Sequence, residues 1–204
     1  MIDLYFAGTA NGQRASVALE ETGLAYRLRR VDLAKGEQRS PEFLRLNPAG
    51  LIPVIVDSDG PGGKPLTLTQ SGAIVLYCAE RSGKFLPKDA ARRALAMQWF
   101  MHAASDVSGT SGTIFRLENA APEKSAANVE YFRKRLLAFF AVCDRALEGR
   151  DFLAGELSVA DLLLYPNFAA RKALLDQAGS LGNLQRWGAA MAARPGVARG
   201  MNPA

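Results

Sequence analysis

A proline near the start of an apolar run restricts how the first part of this chain can fold. Residues 51–56 have the sequence Leu-Ile-Pro-Val-Ile-Val, which is typical of a buried strand. Because proline has no amide hydrogen for a ladder, it occupies the first residue of a strand, an edge or a bulge. We therefore predict that Pro53 opens a strand and that Ile52 lies just outside the sheet, with its backbone N–H and C=O free.

Hydrophobic periodicity around this run predicts alternating strands and helices as far as residue 81. In order, they are a strand at 2–6, a helix at 13–21, a strand at 26–33, a short helix at 41–46, the strand opened by Pro53, a strand at 65–69 and a helix at 70–81. A helix joins the first two strands, so these should be parallel. A turn at residues 57–63 should join the last two strands in an antiparallel hairpin. This order resembles a thioredoxin-type domain.

Beyond a turn-rich linker at residues 82–88 the periodicity becomes helical. It predicts helices at about 90–107, 129–147 and 183–193, with a break or a kink at residues 108–112. Ser158 and Asp161 have the spacing of a capping box, so we expect them to cap a helix and to act structurally. The predicted organisation is a thioredoxin-like domain at residues 1–81 followed by an all-helical domain at residues 90–204.

Composition excludes several classes of function. The 204 residues are 49% hydrophobic and 22% charged, which is ordinary for a folded chain with a large core. No apolar run approaches the ~20 residues that cross a bilayer, and the first residues lack the positive charge of a signal peptide. The basic residues behind the net charge of +5 are scattered, and no single segment is expected to join a basic cluster to exposed aromatics. We expect a cytoplasmic protein that binds neither membrane nor nucleic acid.

The cysteines lack the spacing of a redox pair, and the cysteines and single histidine lack the pattern of a metal site. The two cysteines, Cys78 and Cys143, have neither Cys-x-x-Cys nor metal-ligand spacing, and His102 is the single histidine. Both cysteines fall on apolar helical stretches, where a free thiol packs as a small hydrophobe. We predict no metal site and two structural cysteines.

The turn and strand around Pro53, together with the polar pair Gln70-Ser71 at a predicted helix start, resemble the glutathione transferase family. There a cis-proline turn presents the preceding residue to the cysteinyl backbone of glutathione, and a Glu/Gln-Ser pair holds the γ-glutamyl end. The resemblance implies that Ile52, Pro53, Gln70 and Ser71 bind glutathione, and that Gln38 holds its glycine end. The alternative is an ordinary trans proline, since only about 5–6% of X–Pro bonds are cis.

The chemistry implied by the family requires a thiolate. A free thiol has a pKa near ~8.5, so about 3% is ionised at pH 7. A hydrogen bond to the anion supplies roughly 1.5–3 kcal/mol, so one donor at the start of the first helix suffices. Residues 9–12, Thr-Ala-Asn-Gly, are similar to the Thr-Pro-Asn-Gly of bacterial Nu-type transferases, apart from Ala10. The resemblance implies that Asn11 and Thr9 are catalytic, with Tyr5 as the competing donor.

The resemblance extends over nearly the whole chain. It implies a homodimeric glutathione transferase that activates glutathione, its co-substrate, for attack on small hydrophobic electrophiles. The helical domain would form the wall of the electrophile site, and its first helix carries His102 and Asp106 one turn apart. Two alternatives remain open: a glutathione-dependent disulfide or peroxide reductase, and a non-catalytic binding module with the same fold.

Overall fold

The structure, a computed structural model, describes residues 1–179 and 181–204. The strands are β1 (Ile2–Phe6), β2 (Tyr26–Arg30), β3 (Val54–Asp57) and β4 (Leu66–Thr69). The helices are α1 (Ala10–Thr22), α2 (Pro41–Leu46), α3 (Ser71–Ser82), α4 (Ala90–Met101), α5 (Ser108–Asn119), α6 (Ala126–Ala146), α7 (Val159–Ala170), α8 (Lys172–Ala178), α9 (Gly182–Ala192) and α10 (Pro195–Met201). The chain divides into two compact units, residues 1–86 with 192–204, and residues 87–191.

The first unit has the predicted thioredoxin-like order around one mixed sheet, β2-β1-β3-β4. β1 and β2 are parallel, while β3 is antiparallel to both β1 and β4. β3 begins at Val54, one residue after Pro53, so the ladder loses no hydrogen bond to the proline nitrogen. The register pairs Tyr5 with Val54 and Val54 with Thr69. The carboxyl ends of β1, β2 and β4 therefore meet the amino end of β3 at one end of the sheet.

The C-terminal segment belongs to this first unit, whereas the sequence assigned residues 90–204 to the helical domain. Helix α10 packs on α1, and Ser16 Oγ donates a hydrogen bond of 2.6 Å to the carbonyl of Gly200. Arg194 and Glu21 form an ion pair at 2.6 Å, in which the Glu21 side chain is buried. These contacts join residues more than 170 positions apart, so no local pattern in the segment predicts them.

Gly200 allows this close packing, since a methyl group there would lie 2.4 Å from Cα of Val17. Because the obstacle is backbone, we expect Gly200→Ala to lower the free energy of unfolding by about 1–3 kcal/mol, measured by denaturant titration. Gly109→Ala is the matched control, since this glycine lies within α5 with nothing within 4 Å of the added carbon. That substitution should stabilise by roughly 0.5–1 kcal/mol. Equal effects in the two variants would contradict the packing argument.

The second unit is all-helical, as predicted. The sequence left open whether the chain breaks or kinks at residues 108–112. It does not break there: a π-helical segment, His102–Val107, leads from α4 directly into α5. The predicted capping box is present at the start of α7, where Ser158 N donates to Asp161 Oδ2 at 3.0 Å. Helix α8 was not predicted. None of the described helices combines the length and the apolar character needed to cross a membrane.

Candidate functional site

The motifs identified in the sequence converge at the end of the sheet defined above. β1 leads there into residues 7–9 and α1, Ile52 and Pro53 enter β3 there, and Gln70 and Ser71 follow β4 there. The Val54–Thr69 pairing places the proline turn beside the start of α3. A site built from three distant stretches of sequence therefore follows from the strand order and register.

The peptide bond between Ile52 and Pro53 is cis, as the resemblance implies. Within residues 1–179 and 181–204, no hydrogen bond involves the backbone N–H or C=O of Ile52. The preceding turn is held by Asn47, whose side-chain amide donates to the carbonyl of Leu51 at 2.7 Å. The turn thus leaves one backbone donor and one acceptor available beside the start of α3.

Gln70, at the N-cap of α3, has a backbone conformation that residues other than glycine rarely adopt, with φ 69° and ψ 114°. A non-glycine residue with positive φ costs roughly 1–3 kcal/mol and is concentrated at ligand sites. No described side chain caps the helix here, so its first N–H groups are available to an anion. The sequence located Gln70 by its polar side chain but gave no sign of this conformation.

A buried arginine links the starts of α1 and α3. Arg14 Nη1 donates to Asn11 Oδ1 at 2.8 Å and to Ser71 Oγ at 3.2 Å. Arg14 is only 4% exposed, and burial lowers the pKa of its guanidinium to about 10. The group therefore stays protonated at neutral pH. The structure therefore joins the predicted catalytic Asn11 to the predicted binding residue Ser71 through a residue that the sequence argument missed. The sequence did contain one signal for this residue: Arg14 is charged, whereas its neighbours on the buried side of α1 are small or apolar.

Thr9 is the N-cap of α1, where its Oγ1 accepts a hydrogen bond of 3.2 Å from Gly12 N. The chain turns tightly here: a methyl group at Gly12 would lie 2.1 Å from the carbonyl oxygen of Ala7. Thr9 also lines an open depression of about 600 Å³, together with Phe6 and the residues that follow β2. Thr9 thus borders a space large enough for a small ligand.

Gln38 lies in a one-turn 3₁₀ helix, Glu37–Arg39. Its backbone carbonyl approaches Gly50, where a methyl group would lie 3.0 Å from it. The side-chain Oε1 of Gln38 is buried and has no hydrogen-bond partner among the described residues. A buried unpaired acceptor costs free energy, so a ligand donor there would be stabilising.

Tyr5, the competing donor, packs in a hydrophobic cluster on one face of the sheet. Its ring packs edge-to-face on Phe43 at 6.1 Å, and the cluster includes Val31, Val54 and Ile52. Alternation along β1 buries Leu4 and Phe6 on the opposite face. The Tyr5 ring therefore lies on the opposite face of β1 from Leu4 and Phe6, packed against Phe43.

The remaining candidate groups are engaged within the second unit or buried. His102 Nδ1 lies 3.0 Å from Asp106 Oδ2, and His102 Nε2 lies 3.2 Å from the carbonyl of Phe139. Burial raises the pKa of both cysteine thiols, Cys78 and Cys143, to about 12. Both thiols therefore remain protonated at neutral pH, which makes them poor nucleophiles. No group of three His, Cys, Asp or Glu residues suited to a metal ion occurs in the described part of the chain.

Comparisons with known proteins show the family to which the chain belongs. Residues 10–81 match the family model "Glutathione S-transferase, N-terminal domain", and residues 106–199 match "Glutathione S-transferase, C-terminal domain". The chain is 42% identical over 168 residues to disulfide-bond oxidoreductase YfcG of Escherichia coli, covering 81% of this chain and 78% of that protein. It is 32% identical over 214 residues to disulfide-bond oxidoreductase YghU of the same organism, covering 98% and 73%. A glutathione transferase from Pseudomonas putida, crystallised with one glutathione disulfide per subunit, has a TM-score of 0.90 and 33% identity, covering 99% of this chain and 91% of that one.

Proposed function

Since this chain belongs to the glutathione S-transferase family, we propose that it binds glutathione at the end of its sheet and ionises the thiol at the start of α1. The observation that carries this proposal is the pair of hydrogen bonds from Arg14 to Asn11 and Ser71, which connects the two predicted halves of the site. The family membership itself confirms the resemblance seen in the sequence.

Each part of glutathione has a matching group in the proposed site. The γ-glutamyl carboxylate accepts hydrogen bonds from the first N–H groups of α3 and from Ser71 Oγ, beside Gln70, where the helix dipole also favours an anion. The cysteinyl backbone pairs with the free N–H and C=O of Ile52, as a one-residue strand addition next to Pro53. Gln38, with its unpaired Oε1, accepts an N–H from the glycine end.

The thiol then lies at the start of α1, where Asn11 and Thr9 are the proposed catalytic residues. The Asn11 side-chain amide and the Thr9 hydroxyl donate to the sulfur and favour its ionised form, and the proton leaves to solvent. The thiolate attacks a small hydrophobic electrophile, forming a carbon–sulfur bond as the leaving group departs with its electron pair. This is the transferase reaction of the family.

Disulfide reduction by glutathione is a second candidate, favoured by the names of the relatives YfcG and YghU. The same thiolate would attack one sulfur of a disulfide, forming a mixed disulfide and releasing the other sulfur as a thiolate. A second glutathione thiolate would then attack the mixed disulfide, giving glutathione disulfide and the reduced product. Cys78 and Cys143 are too deeply buried to take part, so both electrons come from glutathione.

The proposal is tested by calorimetric titration of the wild-type chain with glutathione, together with turnover of a model electrophile and of a model disulfide. We expect binding and measurable turnover of at least one of the two substrates, and the ratio of the two rates decides between transferase and reductase. Binding without turnover of either would favour a non-catalytic module. Absence of binding would refute the proposed function.

Gly50→Ala should weaken glutathione binding through Gln38. Gly50 has φ +63°, and an added methyl group meets the Gln38 carbonyl at 3.0 Å and Arg39 Nη1 at 2.9 Å. We expect this overpacking to lower the free energy of unfolding by about 1–3 kcal/mol. We also expect a lower glutathione affinity, measured by calorimetric titration. Gly83→Ala is the matched control, since its φ of +69° carries the same backbone cost but nothing lies within 4 Å. Equal glutathione affinities in the two variants would contradict a role for Gln38 in binding.

Family membership supports two further proposals. We propose that the protein acts as a homodimer and that it works in the cytoplasm. Light scattering coupled to size-exclusion chromatography should give about twice the chain mass of 21.9 kDa. A mass equal to one chain at micromolar concentration would contradict the dimer.

A further inference from the structure

We propose that Arg14 is a positioning residue that makes Asn11 and Ser71 hydrogen-bond donors towards a bound anion. The inference rests on the proposed function for the identity of the anionic groups. These are the glutathione thiolate, which Asn11 faces, and the γ-glutamyl carboxylate, which Ser71 faces. Its structural basis is a single nitrogen atom, Nη1, that donates to both side chains.

Both side chains can otherwise act in either sense. An asparagine amide has a carbonyl that accepts and an NH₂ that donates, and a serine hydroxyl both donates and accepts. A guanidinium can only donate, so Asn11 Oδ1 and Ser71 Oγ must act as acceptors towards Arg14. The Asn11 Nδ2 hydrogens and the Ser71 hydroxyl hydrogen are left for other partners. Within the described residues, neither Asn11 Nδ2 nor the Ser71 hydroxyl donates to another protein group.

The position of Arg14 makes this arrangement effective. Arg14 is buried in α1, whereas Asn11 is exposed in the first turn of the same helix, so a buried cation holds the exposed amide by its oxygen. A charged donor gives a shorter and stronger hydrogen bond than a neutral one, and a low local dielectric strengthens it further. Without Arg14, Asn11 could rotate and present its carbonyl oxygen to the thiolate, which would repel the anion.

A purely structural role for Arg14 predicts a different pattern of effects. If Arg14 only joined α1 to α3, its loss would change stability but would leave the thiol pKa of bound glutathione at the wild-type value. If it acts through Asn11, its loss raises that pKa, and the rise disappears when Asn11 is already absent. A double-mutant cycle separates the two roles.

The first experiment measures the thiol pKa of bound glutathione, from thiolate ultraviolet absorbance against pH, in wild type, Arg14→Met, Asn11→Ala and the double variant. We expect Arg14→Met to raise the pKa by about one unit, which is a tenfold loss of thiolate below that pKa. In the Asn11→Ala background, Arg14→Met should change the fraction of thiolate by less than threefold. Arg14→Lys keeps a cationic donor, so it should recover most of the thiolate and provides a folded variant if Arg14→Met is unstable. Arg27→Met is the charge-matched control, since Arg27 pairs with Asp3 near the beginning of β1, away from Asn11.

The proposal is overturned if Arg14→Met leaves the pKa unchanged, if its effect is equally large without Asn11, or if Arg27→Met has the same effect. A second cycle, in ligand-free protein, separates this result from failure of the proposed function. The unfolding effects of Arg14→Met and Asn11→Ala should be less than additive there, because they remove the same bond. If wild type does not bind glutathione, the proposed function fails, and additivity in this second cycle would independently overturn the positioning by Arg14.

Discussion

Replacing Asp161 with alanine should lower the free energy of unfolding by about 4 kcal/mol, because it leaves several buried donors unpaired at once. The fully buried carboxylate accepts hydrogen bonds from Leu153 N at 3.1 Å, from Ser158 N at 3.0 Å and from Trp187 Nε1 at 3.0 Å. Burial raises the pKa of Asp161, whereas its hydrogen bonds oppose that rise. The side chain thus joins the loop before α7, the start of α7 and helix α9.

The measurement is denaturant unfolding followed by tryptophan fluorescence, since both tryptophans, Trp99 and Trp187, lie in the second unit. Asp89→Ala is the matched control: Asp89 also caps a helix, but it is half-exposed and accepts from one backbone N–H, that of Arg92. Losing such a cap costs about 1 kcal/mol. If Asp161→Ala lowered the free energy of unfolding no more than Asp89→Ala does, the buried hydrogen bonds of Asp161 would stabilise the fold no more than an exposed helix cap. Glutathione affinity, by contrast, should change little in an Asp161 variant that remains folded.

Asn11→Ala should reduce turnover at neutral pH by roughly 10–100-fold. A hydrogen bond to a charged acceptor is worth about 1.5–3 kcal/mol, which corresponds to about one to two units in the thiol pKa. We expect the pH–rate profile to shift to higher pH by that amount. Glutathione affinity should stay within a few-fold of wild type, because Ile52, Gln70 and Ser71 still hold the backbone and carboxylate of the tripeptide.

Asn128→Ala controls for the loss of an exposed asparagine at a helix start, since Asn128 lies in the first turn of α6. Tyr5→Phe tests the competing donor, and its packing against Phe43 predicts an unchanged pH–rate profile. A wild-type profile for Asn11→Ala would assign the thiol contact to Thr9 or Tyr5 instead. A loss of affinity as large as the loss of turnover would show that Asn11 binds glutathione without activating it.

Most elements of the fold could be predicted because their signals are local. Alternation marks the strands, three- and four-residue steps mark α6, and the Ser158–Asp161 spacing marks the start of α7. Helices α8 and α10 were missed because each is seven residues long and takes its stability from tertiary packing. The π-helical segment at His102–Val107 was not predicted either, because residues 108–112 left open whether the helix breaks or kinks.

The candidate site divides in the same way. Residue types and spacing marked Ile52 and the pair Gln70-Ser71, and the family resemblance added Thr9 and Asn11 and gave each residue a proposed role. The sequence gave no indication that Arg14 touches both Asn11 and Ser71, which lie 60 positions apart. It also did not reveal the positive φ of Gln70.

The amino-acid sequence by itself determined the type and order of the strands and most helices, the proline turn and the family, because these depend on neighbours within a few residues. Only the tertiary structure decided that residues 192–204 pack on α1 and that a buried Arg14 joins the two helix starts. The physical reason is that strand register and side-chain packing bring together groups whose separation along the chain carries no signal. Periodicity records which face of an element is buried, but it does not record what that face is buried against.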